Sequence, residues 1–471
     1  MSRMVFRSGM PASASELYEW HARGGAFERL VPPWQTVSVM DRVGGIEDGA
    51  RLYMRIAMGP LRLRWVAVHA DVVAGREFTD IQEHGPFAQW RHRHRFEPTG
   101  ASPDETRSML TDEIDYRLPL EPVSRWVAGR GVRDDLQRMF AFRHARTRRD
   151  LLRHSAVAGA GRRVVVSGST GMIGSALCAF LTTGGYEVIR LVRRPGRPRL
   201  DGTREVRWAP EIGRLDPGAL EGAYAVVHLA GAPIAARRWS SARREEIRRS
   251  RVDGTLTIAR AIAACSDRPP VLISASGVGY YGDREEEVTE ASPSGEGFLA
   301  ATAREWEAAT HVAADAGVRV VKLRFGVVLG AGGGLLRRLL TSYRLGLGGP
   351  VGGGGQPLSW ISLDDAVGSI HHALNSPDCE GAINVVAPRP ATQREFSRVL
   401  GQVLRRPAVL PIPGAAVRVA FGQMGVALVL GGAPVRSEVL HATGFLHQDA
   451  DLASALRFEL GMRRFDEGSP S

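Results

Sequence analysis

The chain has 471 residues, too many for a single hydrophobic core, so two or three domains are expected. With 44% hydrophobic and 24% charged residues, its composition is that of an ordinary globular protein and excludes extensive disorder. The net charge of +11 comes almost entirely from arginine, because Lys322 is the only lysine.

The positive charge has two explanations. A basic protein can bind nucleic acid or a membrane surface. No basic run here is interleaved with the stacking aromatics that single-strand binders use, so a genome that favours arginine codons is the preferred explanation. We therefore expect no nucleic-acid partner.

Three features bear on the compartment. The cysteines Cys178, Cys265 and Cys379 lack C-x-x-C spacing, which indicates neither a disulfide framework nor a zinc site. The N-terminus lacks the apolar core of a signal peptide. The most apolar stretch, 419–432, is interrupted and too short to span a bilayer. A cytoplasmic protein without a membrane span is expected.

Residues 1–155 are predicted to form a first domain. A strand at 4–6 precedes a capped helix start at 11–16 and a second short helix near 25–30. Strand-like segments separated by turn clusters follow at 34–40, 51–58, 61–69, 77–82, 87–96 and 109–118. A final helix is predicted from about Val132 to His154.

This order of elements resembles the helix-grip fold of the polyketide-cyclase/START-like superfamily, and the segment at 26–34 shares the likeness. The resemblance implies an antiparallel sheet curled around its last helix, with a cavity that suits an apolar ligand.

Histidines and carboxylates in this domain receive an ordinary interpretation. His92 and His94 share one face of a strand, but no third ligand has convincing spacing, so hydrogen-bonded or solvated histidines are favoured over a metal site. Asp112, Glu113 and Asp115 are interpreted as a polar strand face. No metal and no catalysis are assigned here.

A small, featureless segment at 155–161 is a plausible linker, and the next residues carry the strongest motif. The β-branched run 163–166 leads into glycines at 168, 171 and 174, and an apolar-periodic helix follows. Glycine permits the tight turn, the close approach of a pyrophosphate and helix–strand packing, and phosphates favour a helix N-terminus. A glycine triplet alone also fits a plain turn. The flanking strand and helix favour nucleotide binding.

The next strand, 187–192, ends at Arg193 and Arg194. An acidic residue about twenty positions past the glycines would bind the ribose of NAD, whereas arginine suits the 2′-phosphate of NADP. A surface cluster at a helix start is the alternative explanation for the two arginines. NADP is the predicted cofactor.

Three further buried strands are predicted at 225–231, 271–276 and 318–325. The intervening helix 239–255 has alternating charges, most simply a solvated face.

These segments, in this order, resemble the extended short-chain dehydrogenase/reductase (SDR) superfamily, and more narrowly an atypical epimerase-like subgroup. The matching segments are 168–174, 228–234, 250–252, 273–276, 279–282, 304–307, 323–330 and 360–365. The tail from 411 to 456 resembles the subgroup's C-terminal domain of unknown function. The resemblance implies a Rossmann doubly wound parallel sheet of α/β class at 162–395, followed by a small C-terminal helical region at 396–462, after the α+β helix-grip domain.

The same resemblance implies a set of cofactor-binding residues. They are Gly168, Ser169, Thr170, Gly171, Met172, Ile173, Gly174, Arg193, Arg194, Leu229, Ala230, Gly231, Arg251, Ala275, Arg324 and Gly326.

The chain departs from the superfamily at its proton relay. Those enzymes use a tyrosine with a lysine four residues on, but Val318 stands four residues before Lys322, and 298–303 holds no such pair. Ser274, Ser276 and Tyr281 occupy the neighbourhood of the superfamily's hydroxyl and are the candidate catalytic residues; equally, they are turn residues that line a cofactor pocket.

Two functions remain open at this point. One is an NADP-dependent oxidoreductase or epimerase that acts on a small molecule, and the other is a non-catalytic NADP(H)-binding sensor or scaffold. The long glycine-rich loops at 329–334 and 348–356 favour the enzyme, since such loops on a rigid scaffold tend to carry binding. The missing relay favours the sensor. The substrate and the oligomeric state are not indicated.

Overall fold

A computed structural model of the chain describes residues 1–58, 61–100, 106–120, 123–157, 159–196 and 199–462. The N-terminal unit is a seven-stranded antiparallel sheet in the order β1-β7-β6-β5-β4-β3-β2. Its strands are β1 (Ser2–Met10), β2 (Val37–Val43), β3 (Arg51–Met58), β4 (Leu61–Val73), β5 (Glu77–His84), β6 (Gln89–Pro98) and β7 (Ser108–Arg117). Its helices are α1 (Ala14–Ala22), α2 (Ala26–Leu30) and α3 (Val123–His154).

This unit has the expected helix-grip architecture, in which α3 packs on the sheet. Phe140 of α3 stacks on Phe6 of β1, with ring centroids 4.7 Å apart. The predicted cap of α1 is confirmed, because the Ser13 hydroxyl accepts from the Glu16 amide and the Glu16 carboxylate accepts from the Ser13 amide. Helix α3 begins at Val123, earlier than predicted, and the glycines at 129 and 131 explain why the local helical signal is weak there.

The interpretation of Asp112, Glu113 and Asp115 as one polar strand face is wrong for Asp112. Successive residues of β7 point to opposite faces, and Asp112 shares the inner face with Leu110 and Ile114, which are both buried. Asp112 is itself only 3% exposed, and His92 and His144 donate to its carboxylate. The concave face therefore holds a buried polar cluster, in contrast to the apolar lining expected from the sequence.

The second unit is a parallel seven-stranded sheet in the order β10-β9-β8-β11-β12-β13-β17. The strands of this part of the chain are β8 (Arg163–Ser167), β9 (Glu187–Val192), β10 (Arg204–Arg207), β11 (Ala225–His228), β12 (Val271–Gly277), β13 (Arg319–Phe325), β14 (Val327–Leu329), β15 (Pro357–Leu358), β16 (Trp360–Ser362), β17 (Gly381–Val385) and β18 (Ala391–Thr392). Its helices are α4 (Met172–Thr183), α5 (Ser241–Ala264), α6 (Phe298–Ala308), α7 (His311–Asp315), α8 (Gly334–Arg344), α9 (Leu363–Asn375) and α10 (Gln393–Leu404).

Helices cover both faces of this sheet, as a doubly wound fold requires. Val164 and Val166 of β8 pack in the core shared with α4 and α9, while Val165 packs in the core shared with α5. The strand order reverses between β8 and β11, and ligands of such folds bind beyond the carboxyl ends of the strands at that point. The α/β Rossmann architecture predicted from the sequence is confirmed.

A small helical region follows α10. It consists of α11 (Gly414–Phe421), α12 (Gln423–Gly425), a π-helical turn (Val426–Leu430), α13 (Glu438–Ala442) and α14 (Leu452–Glu459). The predicted linker at 155–161 includes residue 158, which lies outside the described residues. Among the helices of the described part of the chain, none is both long and apolar enough to cross a membrane.

Arginines of α3 dock the N-terminal unit onto the Rossmann unit. Arg153 donates to Asp365 at the start of α9 over 2.7 Å, and Arg149 forms a bidentate pair with Asp449 at 2.8 and 2.9 Å. Arg146 pairs with Asp364. All of these side chains are buried or nearly so. Their pairing is required, because a charge buried without a partner is strongly destabilising. The aspartates at 364 and 365, noted in the sequence as part of a motif, thus join the two units.

Candidate functional site

The glycine-rich turn after β8 is closely packed on both sides. Gly168 has φ +69°, and a Cβ there would lie 2.6 Å from the Leu229 carbonyl carbon. A Cβ on Gly174 would lie 2.2 Å from the Gly168 carbonyl oxygen. Glycine is therefore required at 168 for conformation and space, and at 174 for the approach of α4 to the turn.

Helix α4 begins here without a side-chain cap. Gly171 is its N-cap residue, and it makes no side-chain cap hydrogen bond to the amides of the first turn. The first N–H groups of a helix have no partner within it, and together with the helix dipole they favour an anion. Behind the turn, the buried Arg190 donates to the Ser169 carbonyl over 3.1 Å and to Asp201 over 2.5 Å. Sequence reasoning did not identify this support.

A cavity of about 1620 Å³ opens at the turn, beyond the carboxyl ends of β8, β9 and β11. Nine of the residues predicted to bind the cofactor line it: Gly168, Ser169, Thr170, Gly171, Arg193, Arg194, Leu229, Ala230 and Gly231. Arg193 and Arg194 are exposed where β9 ends, and Glu205 of β10 lies in the same wall. The volume is ample for a dinucleotide, since ligand pockets commonly measure roughly 300–1,000 Å³.

One wall of the cavity comes from the charged helix α5. Glu245, Arg249 and Asp253 recur every four residues and line it, together with Ser250. This face is exposed to solvent, as the sequence interpretation had it, and it also borders the cavity, which that interpretation did not include. The four-residue spacing is the signal that could have indicated one shared surface. Trp208, from the connection after β10, is a further lining residue that the sequence did not reveal.

The other predicted cofactor residues do not line this cavity in the structure: Met172, Ile173, Gly174, Arg251, Ala275, Arg324 and Gly326. The Arg251 guanidinium lies behind Gly231 and donates to the Ala232 carbonyl over 3.0 Å, so it holds the β11 loop in place. Gly326 is packed against the Ser359 carbonyl, 2.6 Å from where a Cβ would lie.

Arg324 belongs to a buried ion pair under the end of the sheet. Its Nε and Nη2 donate to the two carboxylate oxygens of Glu307, each over 2.8 Å. The Ser276 hydroxyl donates to Glu307 over 2.7 Å, and Arg324 also donates to the Tyr281 hydroxyl over 2.9 Å. These partners of Glu307 come from other elements of the fold, and the sequence does not indicate them.

The candidate catalytic residues Ser274, Ser276 and Tyr281 are all buried. Tyr281 is fully covered, and its hydroxyl donates to the Asn384 side chain over 2.7 Å. Burial raises the pKa of Tyr281 despite the neighbouring Arg324, so its phenol is a weaker acid than that of a free tyrosine. The Ser274 hydroxyl points to the Ala275 carbonyl at 3.4 Å. The structure thus brings Ser276 and Tyr281 into one network and gives both hydroxyls partners inside the protein.

His228 ends β11 close to the glycine turn, and the sequence gave it no role. Its Nδ1 lies 2.6 Å from the Ser167 hydroxyl oxygen. Burial, reinforced by Arg251, lowers the pKa of His228 to about 3. The imidazole is consequently neutral at physiological pH and holds Ser167 rather than supplying a proton.

Three segments of the chain match known families. Residues 10–142 match the polyketide cyclase/dehydrase and lipid transport family, 164–386 the NAD dependent epimerase/dehydratase family, and 412–459 a domain of unknown function. The resemblances noted in the sequence are therefore confirmed.

Relatives and solved structures agree. An epimerase family protein of Mycobacterium bovis is 40% identical over 296 residues, which cover 63% of this chain and 96% of that protein. The crystal structure of a nucleoside-diphosphate sugar epimerase from Corynebacterium glutamicum is 31% identical with TM-score 0.79, and the match covers 98% of this chain and 91% of that one. Human epimerase family protein SDR39U1, solved with NADPH, is 37% identical with TM-score 0.58 over 63% of this chain and 98% of its own. The chain belongs to the epimerase family of extended short-chain dehydrogenases/reductases.

Proposed function

We propose that the chain binds NADP(H) in the cavity beyond β8, β9 and β11 and acts as an oxidoreductase or epimerase on a small molecule. The observation that carries the proposal is the pairing of a closely packed glycine turn with two exposed arginines where β9 ends. A dinucleotide needs the first for its pyrophosphate, and NADP needs the second for its 2′-phosphate. The NADPH bound to human SDR39U1 supports this choice of cofactor.

Each part of the cavity has a distinct role in this proposal. The uncapped N-terminus of α4 would hold the pyrophosphate, and the side chains of Arg193 and Arg194 the 2′-phosphate. The backbone at 229–231 would lie against a ribose. NADPH, when bound, supplies a hydride. The chain's own residues then bind and orient the cofactor and the substrate, and no tyrosine–lysine pair contributes a proton.

Ser276 and Tyr281 act as positioning residues in this proposal. Each hydroxyl is buried and donates to an internal acceptor, Glu307 or Asn384, so neither is free to donate to a substrate. Through Glu307 and Arg324 they fix the ends of β12 and β13 beneath the active site. The proton that accompanies reduction is then supplied by solvent water.

The N-terminal unit would add a second ligand-binding element. Its match to the polyketide cyclase/dehydrase and lipid transport family supports a small, partly apolar ligand. Its docking on the Rossmann unit through α3 supports a role in delivering that ligand.

Deuterium transfer separates an enzyme from a sensor. The full chain would be incubated with a small-molecule cell extract and NADPH deuterated on one or the other face of its nicotinamide C4. We expect deuterium to be lost from one face only, because a fixed pocket presents one face to the substrate. Mass spectrometry of the recovered nucleotide measures the loss, and the Arg193→Ala/Arg194→Ala variant, assayed at low NADPH, is the matched control. Retention of deuterium on both faces, with NADPH bound, would favour the non-catalytic NADP(H)-binding sensor or scaffold.

A further inference from the structure

We propose that the concave face of the N-terminal sheet holds a divalent transition-metal ion of the zinc class, bound by Asp80, His92 and His94. The strand register assembles this triad. Asp80 of β5 lies directly opposite His92 of β6, and His94 follows on the same face of β6. The sequence showed only the two histidines, because the third ligand comes from another strand.

The separations suit one common ion. The Asp80 Oδ2 atom lies 3.3 Å from His94 Nε2 and 3.9 Å from His92 Nδ1. One potential ligand atom from each of the three residues lies within 4.8 Å of the others. Zinc bonds of about 2.0–2.2 Å to nitrogen and oxygen place tetrahedral ligand atoms roughly 3.4 Å apart. Small side-chain adjustments would therefore complete the site.

Asp112 lies behind both histidines and hydrogen-bonds to His92. Its Oδ1 lies 2.8 Å from His92 Nε2 and 2.7 Å from His94 Nδ1. A carboxylate only accepts hydrogen bonds, so His92 donates its Nε2–H to Asp112 and the lone pair of its Nδ1 faces Asp80. His94 donates from Nε2 to Asp80 over 3.3 Å, a proton that a bound metal ion would displace. A carboxylate behind a ligating histidine is the usual support of a protein metal site.

The charge balance of the cluster calls for a cation. Asp112 is 4% and Asp80 24% exposed at the side chain, and both make their ion-pair contacts with histidines. His69 Nε2 lies 3.0 Å from Asp80 Oδ1, and His144 Nε2 lies 2.7 Å from Asp112 Oδ2. With neutral histidines, the buried Asp112 and the partly exposed Asp80 carry two negative charges. The Arg143 guanidinium interacts with both, and a metal ion would balance the remainder. A second proton on His92 or His94 is the competing arrangement.

Three protein ligands leave the ion with an open position. Two histidines and a carboxylate, with water or substrate completing the set, are typical of reactive rather than purely structural metal sites. The partly exposed Asp80 provides the approach from solvent. At the open position, the metal ion would bind a water molecule or an oxygen atom of a substrate.

Metal analysis of the untagged full chain tests the site. The protein would be stripped with EDTA, incubated with Zn²⁺ or Co²⁺ and freed of unbound metal. We expect about one zinc ion per chain by mass spectrometry and a visible absorption band for bound Co²⁺. His92→Ala and His94→Ala should lose both signals. His84→Ala, an exposed histidine at the end of β5, should keep them.

A supporting variant keeps the test decisive where an alanine variant fails to fold. Asp112→Asn preserves shape and should weaken zinc binding about 10- to 100-fold. A zinc content of the wild-type protein no higher than background would overturn the proposal. It would indicate that a second proton on His92 or His94 balances the charge instead. Zinc binding by folded His92→Ala or His94→Ala with wild-type affinity would also overturn it.

Discussion

Replacing Glu307 by alanine is expected to destabilise the chain by about 3–5 kcal/mol, because it leaves the buried Arg324 without its counter-charge. The guanidinium is 5% exposed, and both carboxylate oxygens accept from it over 2.8 Å. The Ser276 hydroxyl loses its acceptor in the same change. Equilibrium urea unfolding measures the difference.

Glu305 on the same helix provides the matched control. Its pair with Arg248 is on the surface, with the Glu305 side chain 46% exposed, and such pairs contribute about 0–1 kcal/mol. Glu305→Ala should therefore be close to neutral. Equal effects of the two substitutions would contradict a buried, structural Glu307. Replacing both Glu307 and Arg324 by methionine should recover much of the loss, since the buried charges are then removed together.

Replacing Gly174 by alanine is expected to weaken NADPH binding by roughly ten- to a hundredfold. The added Cβ would lie 2.2 Å from the Gly168 carbonyl oxygen, so α4 and the turn must separate. Overpacking of this kind costs about 1–3 kcal/mol, and each 1.4 kcal/mol is about tenfold in affinity when it falls on the bound state. Fluorescence titration with NADPH measures the change.

Gly332 offers a control for the glycine-to-alanine exchange itself. A Cβ at that position meets nothing within 4 Å. Gly332→Ala should bind NADPH as the wild type does. Wild-type affinity in Gly174→Ala, with its fold intact, would show that the nucleotide does not depend on this turn.

Local signals predicted much of the architecture. Three signals act over only a few residues and can be recognised in the sequence. They are the capping box at Ser13, the alternation of β-branched and polar residues and the glycine spacing at 168–174. The position of Arg193 and Arg194 at the end of β9 could also be predicted, because it depends on the adjoining strand alone.

Features that depend on partners far away in the sequence could not be predicted. Asp112 is a polar residue, but it lies on the same face of β7 as Leu110 and Ile114 and therefore points inward. The histidines that hydrogen-bond to it come from other elements and are brought there only by the fold. Arg324 was assigned to the cofactor through family resemblance, while its partner Glu307 comes from a separate helix. A charged side chain can be buried when an oppositely charged partner accompanies it, and no local sequence pattern identifies that partner.

The most direct test of the account is a calorimetric titration with NADPH and with NADH, on wild-type protein and on Arg193→Ala/Arg194→Ala. A charge-assisted hydrogen bond is worth about 1.5–3 kcal/mol, so wild-type protein should prefer NADPH by at least roughly tenfold. The double variant should lose that preference and keep its affinity for NADH. Arg130→Ala/Arg133→Ala, which removes two exposed arginines of α3, should leave the preference unchanged. Equal binding of the two nucleotides by wild-type protein, or binding of neither, would contradict the proposed NADP(H) site.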